Sequence, residues 1–97
     1  MLETPVESSS GIQKKILSAL AGGSGFEILL ALQEGPLRFS HFEKRVDVSP
    51  RTLSESLKHL EAVGLVTRTP YAEVPPRVEY ALTEFGSHVC GVLQELS

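Results

Sequence analysis

The most informative segment of this chain is Ser49-Pro-Arg-Thr-Leu-Ser-Glu-Ser-Leu-Lys-His-Leu-Glu-Ala-Val-Gly64. Ser49 before Pro50 is a strong helix start, because a serine hydroxyl can accept a hydrogen bond from the first turn and the missing N–H of proline costs nothing there. Leucines then recur at i, i+4 and i+7 until Gly64, a residue type that commonly ends helices. The pattern predicts a helix from Pro50 to Val63. Its buried face would consist of Leu53, Leu57 and Leu60.

The two runs that follow this helix change from helical to alternating periodicity. Leu65–Thr69 and Arg77–Leu82 are rich in residues that favour strands, and residues 70–76 between them include three prolines. Because proline interrupts strand pairing, these seven residues are expected to form the tip of a two-stranded hairpin. Thr83 is a suitable helix cap, so a C-terminal helix is predicted over residues 83–96.

A short helix is also predicted directly before the central one. Leu37–Phe39 is a short extended piece, and Ser40 with Glu43 has the S-x-x-E spacing of a capping box. A helix is therefore expected to begin at Ser40 and to end near Val46. Two short helices joined by a tight turn and followed at once by a hairpin are the elements of a winged helix-turn-helix.

Two more helices are expected nearer the N-terminus. Phe26–Gln33 is apolar on nearly all sides, which is typical of a helix at the centre of a domain, and Gly35-Pro36 would end it. Apolar residues at helical spacing predict a helix from Ile12. Residues 1–11 are acidic and serine-rich without apolar periodicity, so a mobile N-terminal tail is expected there.

Length and composition are consistent with this organisation. Ninety-seven residues suffice for one domain, which is expected over residues 12–97. Within it, the helix-turn-helix and the hairpin wing are expected over residues 38–82. The predicted fold class is α+β, mainly α. The first residues lack the basic and apolar parts of a secretory signal, and the longest apolar run, Ile28–Leu32, is far too short to span a bilayer. The expected location is the cytoplasm.

The exposed side of the central helix is the candidate site. At 100° per residue, Arg51, Glu55 and Lys58 lie opposite the leucines, with Thr52 and His59 on one flank. A helix that buries one face in this way can place the other in a DNA major groove. Cations on the hairpin and a hydroxyl at the preceding helix start could meet phosphates. The predicted DNA-binding residues are Arg38, Ser40, Ser49, Arg51, Thr52, Glu55, Lys58, His59, Arg68 and Arg77.

Several segments together resemble the HxlR-type transcriptional regulators. They are Gly35-Pro-Leu-Arg-Phe-Ser40, Ser49-Pro-Arg-Thr-Leu53, Gly64-Leu-Val-Thr-Arg68 and, most specifically, Val74-Pro-Pro-Arg-Val-Glu-Tyr-Ala-Leu-Thr83. The resemblance covers about residues 26–97. It implies a homodimer that binds a pseudo-palindromic operator in double-stranded DNA. The reading helix would use Ser49, Arg51, Thr52 and Lys58, and the wing would use Arg77.

One part of the resemblance is missing. Members of that family that sense oxidants have an N-terminal cysteine, commonly ahead of a Lys-Trp pair. Here the single cysteine is Cys90, and Gly23-Ser-Gly-Phe26 stands where the tryptophan would be. The resemblance therefore does not carry a thiol switch over to this chain. Cys90 is expected to be a small packed hydrophobe, because its neighbours include no cation that would favour the thiolate.

Apolar stripes at the two ends of the chain predict self-association. A domain of this size has too few layers to bury both, whereas a two-fold dimer would bury them and place two reading helices roughly 34–36 Å apart. The alternative is that the two stripes pack on each other within one chain. The predicted dimer-interface residues are Ile12, Ile16, Leu17, Leu20, Val89, Val92, Leu93 and Leu96.

Net charge is the main objection to DNA binding. The chain carries a formal charge of −3, whereas residues 38–77 hold 7 Lys+Arg and 5 Asp+Glu, a balance of +2. The acidity therefore belongs to the two ends, and one domain alone should bind DNA weakly and with strong salt dependence.

Two alternatives to DNA binding remain open. The exposed face of the central helix could be a solvated surface in which Glu55 bridges Arg51 and Lys58. The winged helix could instead be a protein-protein interaction module.

Catalysis is not expected. His41, His59 and His88 are isolated from acidic or thiol partners at ligand spacing, and the glycines of residues 22–25 lack the Lys-Ser/Thr pair of a phosphate-binding loop. No metal and no cofactor is predicted from these residues.

Overall fold

Five helices and a small antiparallel sheet make up the fold in the computed structural model, which describes residues 3–21 and 24–96. Side chains are described for residues 11, 13–21 and 24–96. The elements in chain order are α1 (Glu3–Ala21), α2 (Gly25–Leu32), β1 (Leu37–Arg38), α3 (Phe39–Arg45), α4 (Pro50–Ala62), β2 (Val66–Tyr71), β3 (Arg77–Leu82) and α5 (Glu84–Leu96). The predicted mainly helical winged helix-turn-helix is confirmed.

Helix α4 begins and ends as its sequence predicts. The hydroxyl of Ser49 accepts a hydrogen bond of 3.1 Å from the backbone N–H of Thr52, and Pro50 occupies the first helical position. At the other end Gly64 has φ +82°, a left-handed conformation that side chains disfavour. The N–H of Leu65 then bonds to the carbonyl of Leu60, which closes the end of the helix.

The core lies between α2, α4 and the sheet. All three predicted leucines of α4 are buried, and each contributes about 2 kcal/mol by leaving water. Helix α2 is the central element, since it contacts α1, α3, α4, α5 and β3. Its burial explains why Phe26–Gln33 is apolar on nearly all sides. The buried hydrophobic residues of the described chain are Ala19, Ile28, Leu29, Leu32, Phe42, Val46, Leu53, Leu57, Leu60, Leu65, Val66 and Cys90.

The sheet has three strands in the order β1-β3-β2, one more than the predicted hairpin. The extended piece Leu37–Arg38 pairs with β3, where Leu37 lies opposite Tyr80. Pro70 was expected in the hairpin tip, and this is wrong: it belongs to β2, opposite Val78. β2 is an edge strand, and proline is tolerated there because its nitrogen need not bond to a neighbouring strand. The tip is therefore residues 72–76.

Helix α3 is capped two residues earlier than the capping-box prediction, at Arg38 instead of Ser40. Its first residue is Phe39, and the backbone N–H of Arg38 donates to Nδ1 of His41 at 3.1 Å. His41 thus takes the role expected of Glu43, while Ser40 lies inside the first turn. The extended backbone of Arg38, which pairs with Glu79 of β3, sets this boundary.

Helix α1 also starts earlier than predicted. The chain was expected to be a tail over residues 1–11, whereas α1 already begins at Glu3, so the predicted boundary at Ile12 is wrong. Pro5 falls in the first turn, where its missing N–H interrupts no helical hydrogen bond. Polar residues without apolar periodicity can continue a helix that is anchored further along, which is why periodicity alone placed the start too late. Met1 and Leu2 lie outside the described residues.

Helix α5 is docked through its first turn. Thr83 caps it as expected: its hydroxyl oxygen accepts from the N–H of Gly86 at 2.8 Å and the hydroxyl donates to the carbonyl of Gly64 at 2.6 Å. The N–H of Thr83 donates to the carbonyl of Leu65. One threonine therefore ties the start of α5 to the end of α4.

No single described helix is long and apolar enough to cross a membrane. The end of α1 (Gln13–Ala21) and α2 reach that length and hydropathy only together, and they are bent by 86°.

Candidate nucleic-acid interface

The neighbours of α4 divide its surface into four parts. The leucine face points into the core, as predicted. One flank faces α1 and the other faces the sheet, and grooves of about 330 and 310 Å³ run along these two flanks. The sector between the flanks is exposed to solvent. Arg51 and Glu55 belong to it, and Lys58 and Ala62 stand at its edges, where they also line the two grooves.

Arg51 is the most prominent side chain of this sector. It is 89% exposed and stands in the first turn of α4, and its Nε lies 3.5 Å from Oε2 of Glu55. This is the predicted pair one turn apart; the predicted second bridge, from Glu55 to Lys58, is not found among the described ion pairs. An exposed pair of this length contributes little to stability, so Arg51 can exchange Glu55 for another acceptor at small cost.

Ser49 and Thr52 are coupled to each other at the start of α4. Besides the cap, the hydroxyl of Ser49 donates to Oγ1 of Thr52 at 3.1 Å. Ser49 is exposed and Thr52 half-buried. The structure therefore gives Ser49 a helix-capping function in addition to its predicted place on the DNA-binding surface.

Lys58 and Arg68 lie along the same groove between α4 and the sheet. Arg68 is directly opposite Tyr80 in the strand register and shares its face of the sheet, and both line the groove with Lys58. Glu61 is the acidic residue of this groove. The hairpin and α4 thus present one cation each to a common surface.

His59 points to the other flank of α4. Together with Ala62 and Val63 it lines the groove against α1, whose Lys15 and Ser18 form the opposite wall. His59 therefore lines a different groove from Lys58, its neighbour in sequence.

Arg77 is held by its neighbours in the hairpin. Its Nη2 donates to Oε2 of Glu73 at 3.0 Å, its Nη1 lies 3.5 Å from Oε2 of Glu79, and its Cζ is 4.2 Å from the ring centroid of Tyr71. The side chain is 30% exposed. Sequence reasoning missed these three partners. Because Pro70 was assigned to the tip, the strand register that places Tyr71 opposite Arg77 was not foreseen.

Arg38 and Ser40 lie at the start of α3. Both side chains are exposed, and Arg38 pairs through its backbone with Glu79. They lie at the junction of α3 and the sheet, and their predicted DNA contact stays a prediction.

The terminal helices leave part of their apolar surface uncovered. Leu17 is 62% exposed on α1, and Val92 and Leu96 are 45% and 79% exposed on α5. Phe85, one turn before Val89 in the same stripe, is exposed as well. The remaining predicted interface residues divide between positions packed partly on the core, which are Ile16, Leu20 and Val89, the half-buried Leu93, and Ile12, whose side chain lies outside the described residues.

The two terminal helices share α2 as a packing partner and otherwise pack on different elements of the chain. α1 contacts α2 and α4, whereas α5 contacts α2 and β3. The side-chain amides of Gln33 and Gln94 form two reciprocal hydrogen bonds of 2.7 and 3.0 Å, which fasten the end of α2 to α5. The exposed parts of both stripes therefore remain open to a further partner.

Cys90 is buried in the core, and burial raises the pKa of its thiol. A raised pKa lowers the thiolate fraction at neutral pH, and the thiolate is the reactive form. We expect iodoacetamide to alkylate Cys90 at pH 7 at least about a hundredfold more slowly in the folded protein than in denaturant. Mass spectrometry of timed samples measures both rates. Equal rates in the two conditions would contradict a buried thiol.

In the part of the chain that the structure describes, His, Cys, Asp and Glu side chains form no group of three that could hold a metal ion. His41 is used as a helix cap, and His59 stands alone in its groove.

Known proteins resemble this chain in both sequence and fold. A helix-turn-helix transcriptional regulator from Methanothermobacter thermautotrophicus is 46% identical over 70 residues, which are 71% of this chain and 53% of that protein. The chain thus spans about half the length of that relative. The transcriptional regulator YtfH from Salmonella typhimurium superposes with a TM-score of 0.79 at 36% identity, covering 87% of this chain and 76% of YtfH.

A second solved structure matches a larger share of the chain. The oxidised form of the redox regulator HypR has a TM-score of 0.77 at 32% identity and covers 95% of this chain and 89% of its own. These relatives are transcriptional regulators and not enzymes, in agreement with the expectation from sequence. The profile of the HxlR-like helix-turn-helix proteins matches residues 24–97, so the chain belongs to the HxlR-like helix-turn-helix family.

Proposed function

We propose that this protein is a sequence-specific transcriptional regulator that binds double-stranded DNA as a homodimer. α4 enters the major groove, and the wing, defined as β2, β3 and residues 72–76, lies on the flanking backbone or minor groove. The observation that carries this proposal is the exposed sector of α4. This sector has a cation, Arg51, in its first turn, and the opposite side of the same helix is anchored in the core by its leucines.

The chemistry of that sector suits base recognition. Arg51 is extended into solvent at the end of α4 that meets base edges in helix-turn-helix proteins. A guanidinium can donate two hydrogen bonds to O6 and N7 of guanine, and Thr52 beside it offers a hydroxyl. Lys58 and Arg68 supply cations on the adjacent groove, where phosphates would approach.

Dimerisation follows from the uncovered apolar stripes. Phe85, Val92 and Leu96 lie on one side of α5, away from the buried Gly86 and Cys90. A second copy of the chain would remove these side chains and Leu17 from water. A dimer would also double the basic region of residues 38–77, whose net charge in one chain is only +2.

An electrophoretic shift assay tests the DNA-binding proposal. Duplexes selected from a random pool would be titrated with the full chain at 50 and 200 mM salt. We expect a specific complex whose affinity falls steeply with salt, because bound phosphates release counterions. Arg51→Ala should reduce the preference for the selected site by roughly tenfold or more and change affinity for random duplex little.

Arg51→Lys is the matched control, since it keeps the charge and loses the planar fork. It should resemble Arg51→Ala in its loss of sequence preference. A chain that shifts no duplex at low salt would rule out the DNA-binding proposal and favour the protein-interaction alternative. Equal losses on selected and random DNA would instead exclude base recognition by Arg51.

A further inference from the structure

The two arginines of the wing lie on opposite faces of its sheet. Successive side chains of a strand alternate, and residues directly opposite each other share a face. Arg68 pairs with Tyr80, whose ring packs edge-on against Phe42 in the core, 6.0 Å between centroids. Arg77 pairs with Tyr71. Along the strands, Arg77 is three residues before Tyr80 and Tyr71 is three residues after Arg68, and an odd spacing places side chains on opposite faces. Arg68 therefore shares the side of α4, whereas Arg77 is on the outer side.

The surroundings of the two guanidinium groups also differ. Arg68 is exposed, and no charged partner for it is found among the described residues. Arg77 contacts two carboxylates and an aromatic face, and its Nε is shielded from solvent. The cluster of Arg77, Glu73 and Glu79 carries a net charge of −1, so a phosphate approaching Arg77 would meet repulsion as well as attraction.

Arg77 connects all parts of the wing. Tyr71 is the last residue of β2, Glu73 belongs to the tip, and Glu79 is on β3. For Arg77 to bind a phosphate, its ion pairs and its stacking would have to be exchanged for one new contact. A planar guanidinium can bond two carboxylates while stacking on a ring, which an ammonium cannot do.

We propose that Arg77 is a positioning residue that holds the wing in shape, and that Arg68 is the cation through which the wing contacts phosphate. This inference rests on the proposed DNA-binding function for its second half only. The first half concerns the structure of the wing in the protein without DNA, so the two halves can be tested separately.

The test compares Arg68→Gln, Arg77→Gln, Arg77→Lys and the double variant Arg68→Gln/Arg77→Gln. Amide hydrogen exchange of residues 66–71 and 77–82 is measured on each protein alone. Affinity for a mixed-sequence duplex of about 30 base pairs is then measured over a series of salt concentrations. This probe needs no knowledge of the operator, because phosphate contacts are independent of sequence.

We expect both Arg77 variants to speed exchange of the wing amides about tenfold and Arg68→Gln to leave it unchanged. Because the proposed dimer carries two copies of Arg68, Arg68→Gln should reduce the magnitude of the slope of log affinity against log salt by about 1.8, or about 0.9 for each chain. The double variant should lower the slope no further than Arg68→Gln does, because Arg77 acts through the wing that presents Arg68.

Three outcomes would overturn the inference. Unchanged exchange in Arg77→Gln would show that Arg77 does not hold the wing. A slope loss of about 3.6 in the double-variant dimer, twice the loss in Arg68→Gln, would show that Arg77 makes a second, independent phosphate contact in each chain. Wild-type exchange rates in Arg77→Lys would show that a positive charge holds the wing without the planar guanidinium. If no variant and no wild-type protein bound DNA, the proposed function would fail, and the exchange data would still decide the role of Arg77.

Discussion

Replacing Gly86 by alanine is expected to destabilise the protein by about 3 kcal/mol, although the same substitution at Gly91 on the same helix should be harmless. A Cβ atom at residue 86 would overlap the carbonyl oxygen of Leu65 and lie 2.9 Å from its carbonyl carbon. A Cβ atom at residue 91 would meet no atom within 4 Å. Position 86 thus differs from position 91 by its surroundings and not by its helical backbone.

The overlap at Gly86 cannot be relieved by turning a side chain. Leu65 is fully buried, and its carbonyl also accepts the N–H of Thr83, the residue that caps α5. Moving the helix away would stretch this bond and the bond from the Thr83 hydroxyl to the carbonyl of Gly64 together. The first turn of α5 would therefore lose its attachment to the end of α4.

Thermal and urea unfolding of the two variants measure this difference. For a domain of this size, 3 kcal/mol corresponds to a fall in Tm of roughly 15 °C. Gly91→Ala should leave Tm unchanged or raise it slightly, because alanine favours a helix over glycine by about 0.5–1 kcal/mol. Equal stability of Gly86→Ala and Gly91→Ala would contradict the close docking of α5 described here.

Val92→Asp is expected to convert the proposed dimer into monomers and to weaken binding to a two-half-site operator at least about a hundredfold. Val92 lies in the middle of the exposed stripe between Phe85 and Leu96. A carboxylate there would be buried without a partner in a dimer, whereas it would stay in water in the monomer. Two linked reading helices bind more tightly than one because the second contact is intramolecular.

Ser87→Asp is the matched control for this prediction. Ser87 is exposed on α5 and lies on another side of the helix. The substitution Ser87→Asp therefore adds the same charge outside the apolar stripe. Sedimentation equilibrium and the shift assay on the selected duplex should show a dimer with wild-type affinity for Ser87→Asp. A dimeric Val92→Asp protein with wild-type affinity would exclude α5 from the interface.

Leu17→Asp extends the same measurement to α1. If the interface includes both terminal helices, it should lower the dimer population as Val92→Asp does. An effect of Val92→Asp alone would restrict the interface to α5.

Local features of the sequence were sufficient for much of this fold. Ser49-Pro50 and Gly64 set the ends of α4, and the leucine spacing identified its buried face, because caps and periodicity act within one or two turns. Thr83 was identified as a cap for the same reason. The exposed cations of α4 follow directly, since a face opposite a buried one must point outward.

Other features depend on contacts between residues far apart in the chain. Leu37–Arg38 becomes a strand because β3 lies beside it, and Pro70 enters β2 because that strand is at the edge of the sheet. His41 caps α3 because the backbone of Arg38 is held extended by its pairing with Glu79. None of these pairings is visible as a local pattern.

The winged helix-turn-helix and the outward face of α4 are thus predictable from local patterns in the sequence. Which cations of that surface are available to a ligand depends instead on tertiary contacts. Arg51 and Arg68 remain exposed, whereas Arg77 is engaged by Glu73, Glu79 and Tyr71. The physical reason is that charge is a property of a residue, but its availability depends on strand register, which brings acidic and aromatic side chains beside one arginine and not beside another.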